Sequence, residues 1–239
     1  MTDRPSFDAH ADDFDDTLAR ALAATGEDKD YFARGRIAWL RRCLHGLGVR
    51  PRAVMDYGCG TGSATPYLFD VLGAASVVGV DVSARCLELA ATRWGSSGAV
   101  FSLQGAGPDA RCDLVFCNGV FHHIPPDARA DAVTYVYDAL DDGGWFALWE
   151  NNPWNPGARY VMAHCAFDRE AVTLTAPQAR RLVRARGFEV VRTDFLFVFP
   201  RALHSLRWLE PFVARWPLGG QYQVLCRKPA GPRAERRPR

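Results

Sequence analysis

The sequence lacks the marks of several large protein classes. Its 239 residues carry a formal net charge of only +2, so no broad basic field is available to attract nucleic acid. Seven cysteines are scattered from Cys43 to Cys226 without a CxxC pair, which argues against a disulfide framework and against a zinc site. No apolar run is long enough to span a membrane, and the acidic, polar N-terminus does not resemble a signal peptide. These absences predict a soluble, cytoplasmic protein that has reduced thiols and binds no metal and no nucleic acid.

The pattern of apolar residues predicts an α/β fold. Residues 8–47 have apolar positions at helical spacing, and after Pro51 short apolar runs alternate with helical stretches, as in βα units on a mostly parallel sheet. The predicted strands are Ala53–Tyr57, Ser76–Val80, Ala99–Leu103, Asp113–Cys117, Trp145–Glu150, Phe188–Phe199 and Gln221–Lys228. The later predicted helices are Ala64–Leu72, Ala84–Trp94, Asp127–Leu140 and Pro177–Arg186, followed by an amphipathic segment at 203–215.

A glycine-rich turn follows the first predicted strand, in the sequence AVMDYGCGTGSAT. Three glycines at alternate positions let the chain turn sharply and let a ligand approach the backbone. In a dinucleotide-binding turn the third glycine follows the second by three places, whereas here it follows by two. Asp56 also precedes the glycines, where its charge would repel a pyrophosphate but would suit a cationic group such as the ammonium of a methionine moiety. The turn therefore disfavours a nicotinamide dinucleotide.

A second acidic residue, Asp81, ends the second predicted strand about twenty residues beyond the glycines. A carboxylate in that place can accept hydrogen bonds from both ribose hydroxyls of a nucleoside. The alternative role, an N-cap for the helix that starts at Ala84, is already filled by Ser83. We therefore expect Asp81 to bind ribose.

Four segments together resemble the class I S-adenosylmethionine (SAM)-dependent methyltransferases, especially the small-molecule branch that includes type-11/12 and quinone-biosynthesis enzymes. They are DYGCGTG at 56–62, GVDVS at 79–83, CDLVFCNGVFHHIPP at 112–126 and LDDGGWFALWE at 140–150. The resemblance implies a Rossmann-like, seven-stranded sheet of order 3-2-1-4-5-7-6, with strand 7 antiparallel and helices on both faces. It also implies SAM as the cofactor and S-adenosylhomocysteine as its product.

The resemblance implies a role for residues around the glycine turn. Asp56, Gly58 and Gly60 would line the methionine end of SAM, Asp81 would hold the ribose, and Asn118 would lie beside the sulfonium. The expected cofactor-binding residues are Tyr31, Arg34, Asp56, Gly58, Cys59, Gly60, Asp81, Val82, Gln104, Asn118 and Gly119.

Two of these positions carry open alternatives. Family members often have an acid after the third strand that meets the adenine amino group, and this chain has Gln104 there, which is either an amide acceptor or a solvent-facing loop residue. On the predicted lid, Tyr31 either contacts the sulfonium through cation–π attraction or simply packs against its neighbours. Arg34 would pair with the SAM carboxylate.

The acceptor is expected beyond the carboxyl ends of strands four and five, where ligands bind in open α/β sheets. His122 and His123 are candidate bases because imidazole titrates near neutral pH, and Glu150 is a candidate proton acceptor at the same crevice. His123 precedes IPP, which leaves His122 as the freer of the two. The expected substrate-contacting residues are Phe121, Asn151, Asn152, Trp154 and His164.

These observations predict a single domain at 1–229 with a helical lid at 1–48, a SAM-binding half at 52–150 and an acceptor-side half at 151–229. A disordered basic tail at 230–239 would follow. The expected activity is methyl transfer from SAM to an O or N atom of a small-molecule acceptor, by a monomer or homodimer without membrane contact. The alternatives are C-methylation of a quinone-like or lipid acceptor, and a SAM-binding partner protein without catalysis.

Overall fold

Seven strands form one sheet in the order β3-β2-β1-β4-β5-β7-β6. The computed structural model describes residues 14–105, 107–108, 111–168 and 170–231, with side chains from Thr17 onward. The strands are β1 (Ala53–Tyr57), β2 (Ser76–Asp81), β3 (Val100–Leu103), β4 (Cys112–Asn118), β5 (Leu140–Asn151), β6 (Glu189–Leu196) and β7 (Gln221–Arg227). Strand β7 runs antiparallel to both of its neighbours, β5 and β6. This order and the direction of β7 confirm the predicted fold class.

Helices cover both faces of the sheet. They are α1 (Phe14–Leu22), α2 (Lys29–Gly46), α3 (Thr65–Tyr67), α4 (Ala84–Trp94), α5 (Arg129–Ala139), α6 (Pro156–His164), α7 (Ala176–Arg186) and α8 (Glu210–Val213). On one face α2 buries Ile37 and Leu40 in a cluster with Trp149 of β5. On the other face α5 and α7 pack against the sheet through residues such as Val136 and Val183. None of the described helices is both long and apolar enough to cross a membrane.

The parallel strands bring the expected ligand-binding residues to one edge. Strands β1, β2, β4 and β5 are adjacent, so their carboxyl ends meet there. Asp56 lies next to the end of β1, Asp81 ends β2 and Asn118 ends β4. Gly58 N donates to Val80 O at 2.8 Å, which fixes the start of the glycine turn against β2.

The N-terminal part, predicted to be helical over residues 8–47, contains two helices with a break that the apolar spacing did not locate. Residues 8–13 lie outside the described residues, and helices α1 and α2 are separate. Gly26 adopts a left-handed conformation with φ of 75° and closes the turn that follows α1. Asp28 then begins α2, because its side chain accepts a hydrogen bond from Tyr31 N at 2.7 Å. The break arises from these two local signals, which the apolar spacing alone does not contain.

Four other segments differ from the prediction for local reasons. Predicted helix Asp127–Leu140 ends at Ala139, because Leu140 pairs with Cys112 and begins β5. The stretch expected to be irregular after β5 contains helix α6, whose N-cap Asn155 accepts a hydrogen bond from Ala158 N at 2.9 Å. The predicted helix Ala64–Leu72 is a single α turn followed by a wider π turn at Leu68–Leu72. The amphipathic segment consists of a 3₁₀ segment at Arg201–Leu209 and the short helix α8.

Candidate active site

The glycine turn leaves space above the end of β1. Gly60 has a φ of 52°, and a Cβ atom built there would meet no atom of the described residues within 4 Å. Gly58 has a φ of 71°, and a Cβ atom there would lie 2.3 Å from a methyl group of Val120. The two glycines therefore serve different needs: Gly58 permits close packing of the turn, and Gly60 leaves open space for a ligand.

Asp81 is fixed against this turn. Its Oδ2 accepts a hydrogen bond from Gly60 N at 2.8 Å, and its Oδ1 accepts one from Ser83 N at 2.9 Å. Ser83 caps α4, since its hydroxyl oxygen accepts from Cys86 N at 3.1 Å, as the sequence predicted. Ser83 thus fills the capping role, and Asp81 lies at the cavity wall.

Asp56 and Arg36 both line the cavity, and each has a buried atom without a hydrogen-bond partner among the described residues. Asp56 Oδ2 and Arg36 Nε are both buried, and neither has a hydrogen-bond partner among the described residues. Arg36 Nη1 donates to Gln221 Oε1 at 2.9 Å. Burial raises the pKa of the Asp56 carboxyl to about 7; the charge of Asp81 adds to this effect and the charge of Arg36 opposes it. Burial also lowers the pKa of Arg36 to about 10, against the attraction of Asp56.

Asn118 adds a third polar group at the same edge. It ends β4, and its Oδ1 is buried without a hydrogen-bond partner in the described part of the chain. A buried polar atom without a partner loses the free energy of its hydration, so natural proteins keep few of them outside ligand sites. The edge of the sheet thus has one unpaired donor, on Arg36, and two unpaired acceptors, on Asp56 and Asn118. These groups indicate a site for a ligand that carries a positive and a negative charge.

A cavity of about 1800 Å³ opens over this edge of the sheet. A single small-molecule site usually occupies roughly 300–1,000 Å³, so the cavity has room for a cofactor and an acceptor together. Eight acidic and only three basic side chains are among its described lining residues, namely Glu27, Asp56, Asp81, Asp127, Asp131, Asp138, Asp168 and Glu170 against Lys29, Arg36 and Arg207. The excess of acidic groups favours cationic or neutral ligands over polyanionic ones.

Two histidines and two carboxylates form a cluster at and behind the cavity wall. His122 Nδ1 lies 2.6 Å from Glu150 Oε2, and His122 Nε2 lies 3.3 Å from Asp168 Oδ1. His123 Nε2 lies 3.3 Å from the same Asp168 oxygen. Glu150 Oε1 accepts a further hydrogen bond from Phe121 N at 2.8 Å. Each ring nitrogen of His122 therefore faces a carboxylate oxygen, contrary to the expectation that His122 is the freer histidine.

The histidines and carboxylates of this cluster stabilise each other's charged forms. Burial by itself lowers the pKa of His122, but the charge of Glu150 and the hydrogen bonds to Asp168 and Glu150 outweigh it and raise the pKa to about 10. For Asp168 burial acts in the raising direction, and hydrogen bonds from His122 and His123 overcome it and lower the pKa to about 2. The cluster is a compact set of paired charges in the cavity wall.

Most of the predicted site residues line the cavity. Those that do are Tyr31, Asp56, Gly58, Cys59, Gly60, Asp81, Val82, Gln104, Asn118, Gly119, His122, His123 and Asn151. Tyr31 also packs edge-on against Phe32 and Phe197, and the guanidinium carbon of Arg207 lies 4.5 Å from its ring centroid. One face of that ring is therefore already covered by a cation from the chain itself.

Three predicted site residues are instead buried in the protein interior, outside the described cavity wall. Phe121 lies in the core beside Tyr57 and Phe146. Asn152 is fully buried and its amide donates to Pro217 O at 3.1 Å and Gly219 O at 2.8 Å, so it secures the chain before β7. Glu150 is 1% exposed and uses both oxygens within the protein. Glu150 can reach the cavity only through His122.

Trp154, His164 and Arg34 also fall outside the described cavity wall. Trp154 is 52% exposed, and His164 Nδ1 lies 2.8 Å from Tyr160 O on the outer side of α6. Arg34 lies near Tyr67, on a different side of α2 from the cavity. These three predictions were made from chain position, which does not determine the side to which a helix turns its residues.

Arg36 and Asp168 are the main cavity residues that the sequence did not predict. Arg36 is two residues beyond Arg34, about 200° further round the helix. It shares the apolar stripe of Ala33, Ile37 and Leu40, and that spacing could have identified it as the inward-facing arginine. Asp168 lies in a short turn after α6, and no spacing in the sequence connects it to His122.

The sequence is similar to known methyltransferases. Residues 54–144 match a family described as a methyltransferase domain. Trans-aconitate 2-methyltransferase of Rhodopseudomonas palustris is 29% identical over 121 residues, which are 50% of this chain and 46% of that protein. Carboxy-S-adenosyl-L-methionine synthase of a Psychrobacter species is 27% identical over 152 residues, or 57% of this chain and 54% of that protein. The chain thus spans about half the length of these curated relatives.

The solved structures extend the likeness in fold to nearly the whole chain. Magnesium protoporphyrin IX methyltransferase of Synechocystis PCC 6803, with bound SAH, has a TM-score of 0.62. The match covers 94% of this chain and 97% of that one at 18% sequence identity. At that identity the likeness concerns the fold alone.

Proposed function

We propose that this chain, like the class I SAM-dependent methyltransferases that it resembles, binds SAM in the cavity and moves the methyl group to a small-molecule acceptor. The acceptor atom would be an O or an N. The observation that carries this proposal is the pair of buried, unpartnered atoms Asp56 Oδ2 and Arg36 Nε beside the open glycine turn.

The methionine end of SAM has both an ammonium and a carboxylate, which match the unpaired groups at the edge of the sheet. Arg36 would bind the carboxylate, since a guanidinium donates charge-assisted hydrogen bonds to such groups. Asp56 and Asn118 would accept from the ammonium through their unpaired oxygens. The acidic lining of the cavity also favours the cationic sulfonium.

The nucleoside end would lie along the ends of β2 and β3. Asp81 would accept from the ribose hydroxyls, and the backbone hydrogen bond to Gly60 N would hold its carboxylate in place. Gln104 follows β3, and its N–H donates to Asp81 O at 2.8 Å, which sets the end of the strand beside the ribose site. The amide oxygen of Gln104 can serve the adenine amino group in place of an acid.

The acceptor would occupy the rest of the cavity, near His123, Tyr160 and Phe167. The excess of acidic lining groups disfavours a polycarboxylate such as trans-aconitate, so we assign a neutral or cationic acceptor with an aromatic or apolar part. Methyl transfer from a sulfonium needs mainly an acceptor atom held in line with the carbon–sulfur bond. Glu150 acts as a positioning residue for His122, whereas His123 is the histidine with more open access to the acceptor.

The test is transfer of an isotope-labelled methyl group from SAM to a metabolite extract that has been separated into water-soluble and lipid fractions. A labelled water-soluble product whose label is lost with the Arg36→Gln variant supports the proposal. Label in the lipid fraction alone contradicts the proposed acceptor class. SAM binding without any labelled product contradicts catalysis and leaves a SAM-binding partner protein.

A further inference from the structure

One potential metal ligand from each of His122, His123 and Asp168 lies within 4.8 Å of the other two in the cavity wall. Two of the three separations are shorter, because each histidine Nε2 lies 3.3 Å from Asp168 Oδ1. All three side chains line the cavity, two of them half-buried and His122 buried. We propose that these residues bind a divalent first-row transition-metal ion.

The separations suit such an ion. Metal–nitrogen and metal–oxygen bonds of about 2.0–2.1 Å place neighbouring ligand atoms roughly 2.8–3.0 Å apart in octahedral geometry and in the range of roughly 3.3–3.4 Å in tetrahedral geometry. The two 3.3 Å separations at Asp168 Oδ1 lie within that range. A small movement of the two imidazoles towards each other would complete one triangular face around the ion.

Glu150 provides the support that metal-binding histidines usually have. A histidine ligand typically presents its other ring nitrogen to a carboxylate, which fixes the tautomer and the orientation of the ring. Glu150 Oε2 lies 2.6 Å from His122 Nδ1, so Nε2 is the nitrogen left for the ion. Glu150 is itself held by Phe121 N, and Val172 N donates to His122 O at 2.9 Å. Glu150 thus holds the ring of His122, and Val172 holds its backbone, before any ion binds.

The ligand set and its surroundings indicate the class of ion. Two imidazoles with one carboxylate suit zinc, iron, cobalt, nickel or manganese better than magnesium, which prefers oxygen ligands. Three protein ligands on one face leave coordination positions open towards the cavity. The acidic lining also concentrates cations there. The site was not visible in the sequence because His122 and Asp168 are 46 residues apart.

The position of the site also narrows the substrate class, and this step rests on the proposed function. The open coordination positions face the acceptor part of the cavity, so an acceptor with a hydroxyl oxygen is the class that this site would orient. Metal binding by the three residues does not depend on that step.

The first experiment is a titration of metal-stripped, full-length protein with Co²⁺, followed by visible absorption and calorimetry, and then with Zn²⁺ and Mn²⁺. We expect one ion per chain and a Co²⁺ spectrum of low symmetry. His123→Ala and Asp168→Asn should each weaken binding at least about tenfold, and Glu150→Gln about 10- to 100-fold. His204→Ala and Asp70→Asn, both exposed and away from the cavity wall, are the matched controls and should leave the affinity unchanged.

Equal affinity in wild type, His123→Ala and Asp168→Asn would overturn the proposal, as would the absence of binding in wild type. Circular dichroism of each variant identifies any that fail to fold. SAM affinity is measured on the same samples, because metal binding and SAM binding use different residues. Loss of the metal with retained SAM binding refutes only the metal site, whereas absent SAM binding with retained metal refutes the proposed function.

Discussion

Arg36 of α2 and Asp56 of β1 influence each other's charge across the cavity wall without completing their hydrogen bonds. Arg36 Nε and Asp56 Oδ2 are both buried and unpartnered among the residues that the structure describes. The charge of each opposes the effect of burial on the pKa of the other. Such a pair is expensive to maintain unless a ligand with complementary charges completes it. The pair therefore marks the place where ligand binding should change the electrostatics of the site most.

The first prediction concerns Arg36. Arg36→Gln removes the charge that would bind the SAM carboxylate, and a charge-assisted hydrogen bond contributes about 1.5–3 kcal/mol. We expect the Kd for SAM to rise about 10- to 100-fold in calorimetry. Arg34→Gln on the same helix is the matched control and should bind SAM as wild type does. Equal effects from the two substitutions would contradict the assignment of Arg36.

The second prediction is a pH dependence of SAM affinity that is set by Asp56. The pKa of this carboxyl is raised to about 7, and the ammonium of SAM favours its ionised form. SAM should therefore bind more weakly as the pH falls from about 8 to about 6, because a proton competes with the ammonium. Asp56→Asn should bind weakly at every pH and remove this part of the dependence. A wild-type affinity that is constant over this interval would contradict the prediction.

The same carboxyl predicts an effect on the stability of the ligand-free protein. Its pKa in the folded state lies above the ordinary value of 3.8, so the folded state binds the proton more tightly than the unfolded state. This contribution to the free energy of unfolding is complete below about pH 4, decreases as the pH rises, and is lost above about pH 7. Asp56→Asn should thus gain stability relative to wild type between about pH 5 and pH 8, on the order of a few kcal/mol. Denaturant unfolding at several pH values measures the difference in free energy of unfolding between Asp56→Asn and wild type. A difference that stays constant from pH 5 to pH 8 would contradict the prediction.

The elements near the glycine turn could be predicted from sequence because local signals and tertiary contacts agree there. Strand β1 and helix α4 have the predicted bounds, since Ser83 caps α4 and the glycines end β1. The order of the sheet followed from the resemblance of four motifs rather than from the apolar pattern. The predicted start of β5 at Trp145 was too late, because Leu140 already pairs with Cys112 of β4.

The sequence located the loops on the acceptor side of the cavity, but it could not show which of their side chains line the cavity. Asn151 and Asn152 are adjacent, yet one lines the cavity and the other is buried against the chain before β7. Asp168 meets His122 only through the fold. Side-chain direction in such loops depends on contacts between distant segments, which a single sequence does not specify.

The fourth prediction tests the open space at Gly60. Gly60→Val places a branched side chain in the free volume above β1 and in a conformation with positive φ, so it should abolish measurable SAM binding. The control is Gly46→Ala at the end of α2, where a Cβ atom also meets nothing among the described residues within 4 Å but φ is not in the left-handed range. It should leave SAM affinity unchanged. Retained SAM binding in folded Gly60→Val would contradict the proposed position of the cofactor.

The last prediction separates stability from ligand binding, on the side of the sheet that α2 covers. Asp194 of β6 is fully buried, and it accepts hydrogen bonds from Trp39 Nε1 at 3.0 Å and from Arg192 Nε at 2.6 Å. Asp194→Ala leaves the indole N–H and part of the guanidinium without their acceptor in the interior. Arg192 is partly exposed and can be rehydrated, so the main cost is the buried indole N–H left without an acceptor, about 1–3 kcal/mol.

We therefore expect a lower free energy of unfolding in urea for Asp194→Ala, with SAM affinity per folded molecule unchanged because Asp194 is not among the described cavity-lining residues. Asp138→Ala is the control, since Asp138 forms an exposed ion pair with Arg186 at 2.9 Å and such pairs contribute about 0–1 kcal/mol. A loss of stability in Asp194→Ala no larger than in Asp138→Ala would show that the hydrogen bonds of Asp194 do not anchor α2 to β6. In that case the apolar contacts of α2, such as those of Ile37 and Leu40, would hold this helix, and with it Arg36, over the sheet.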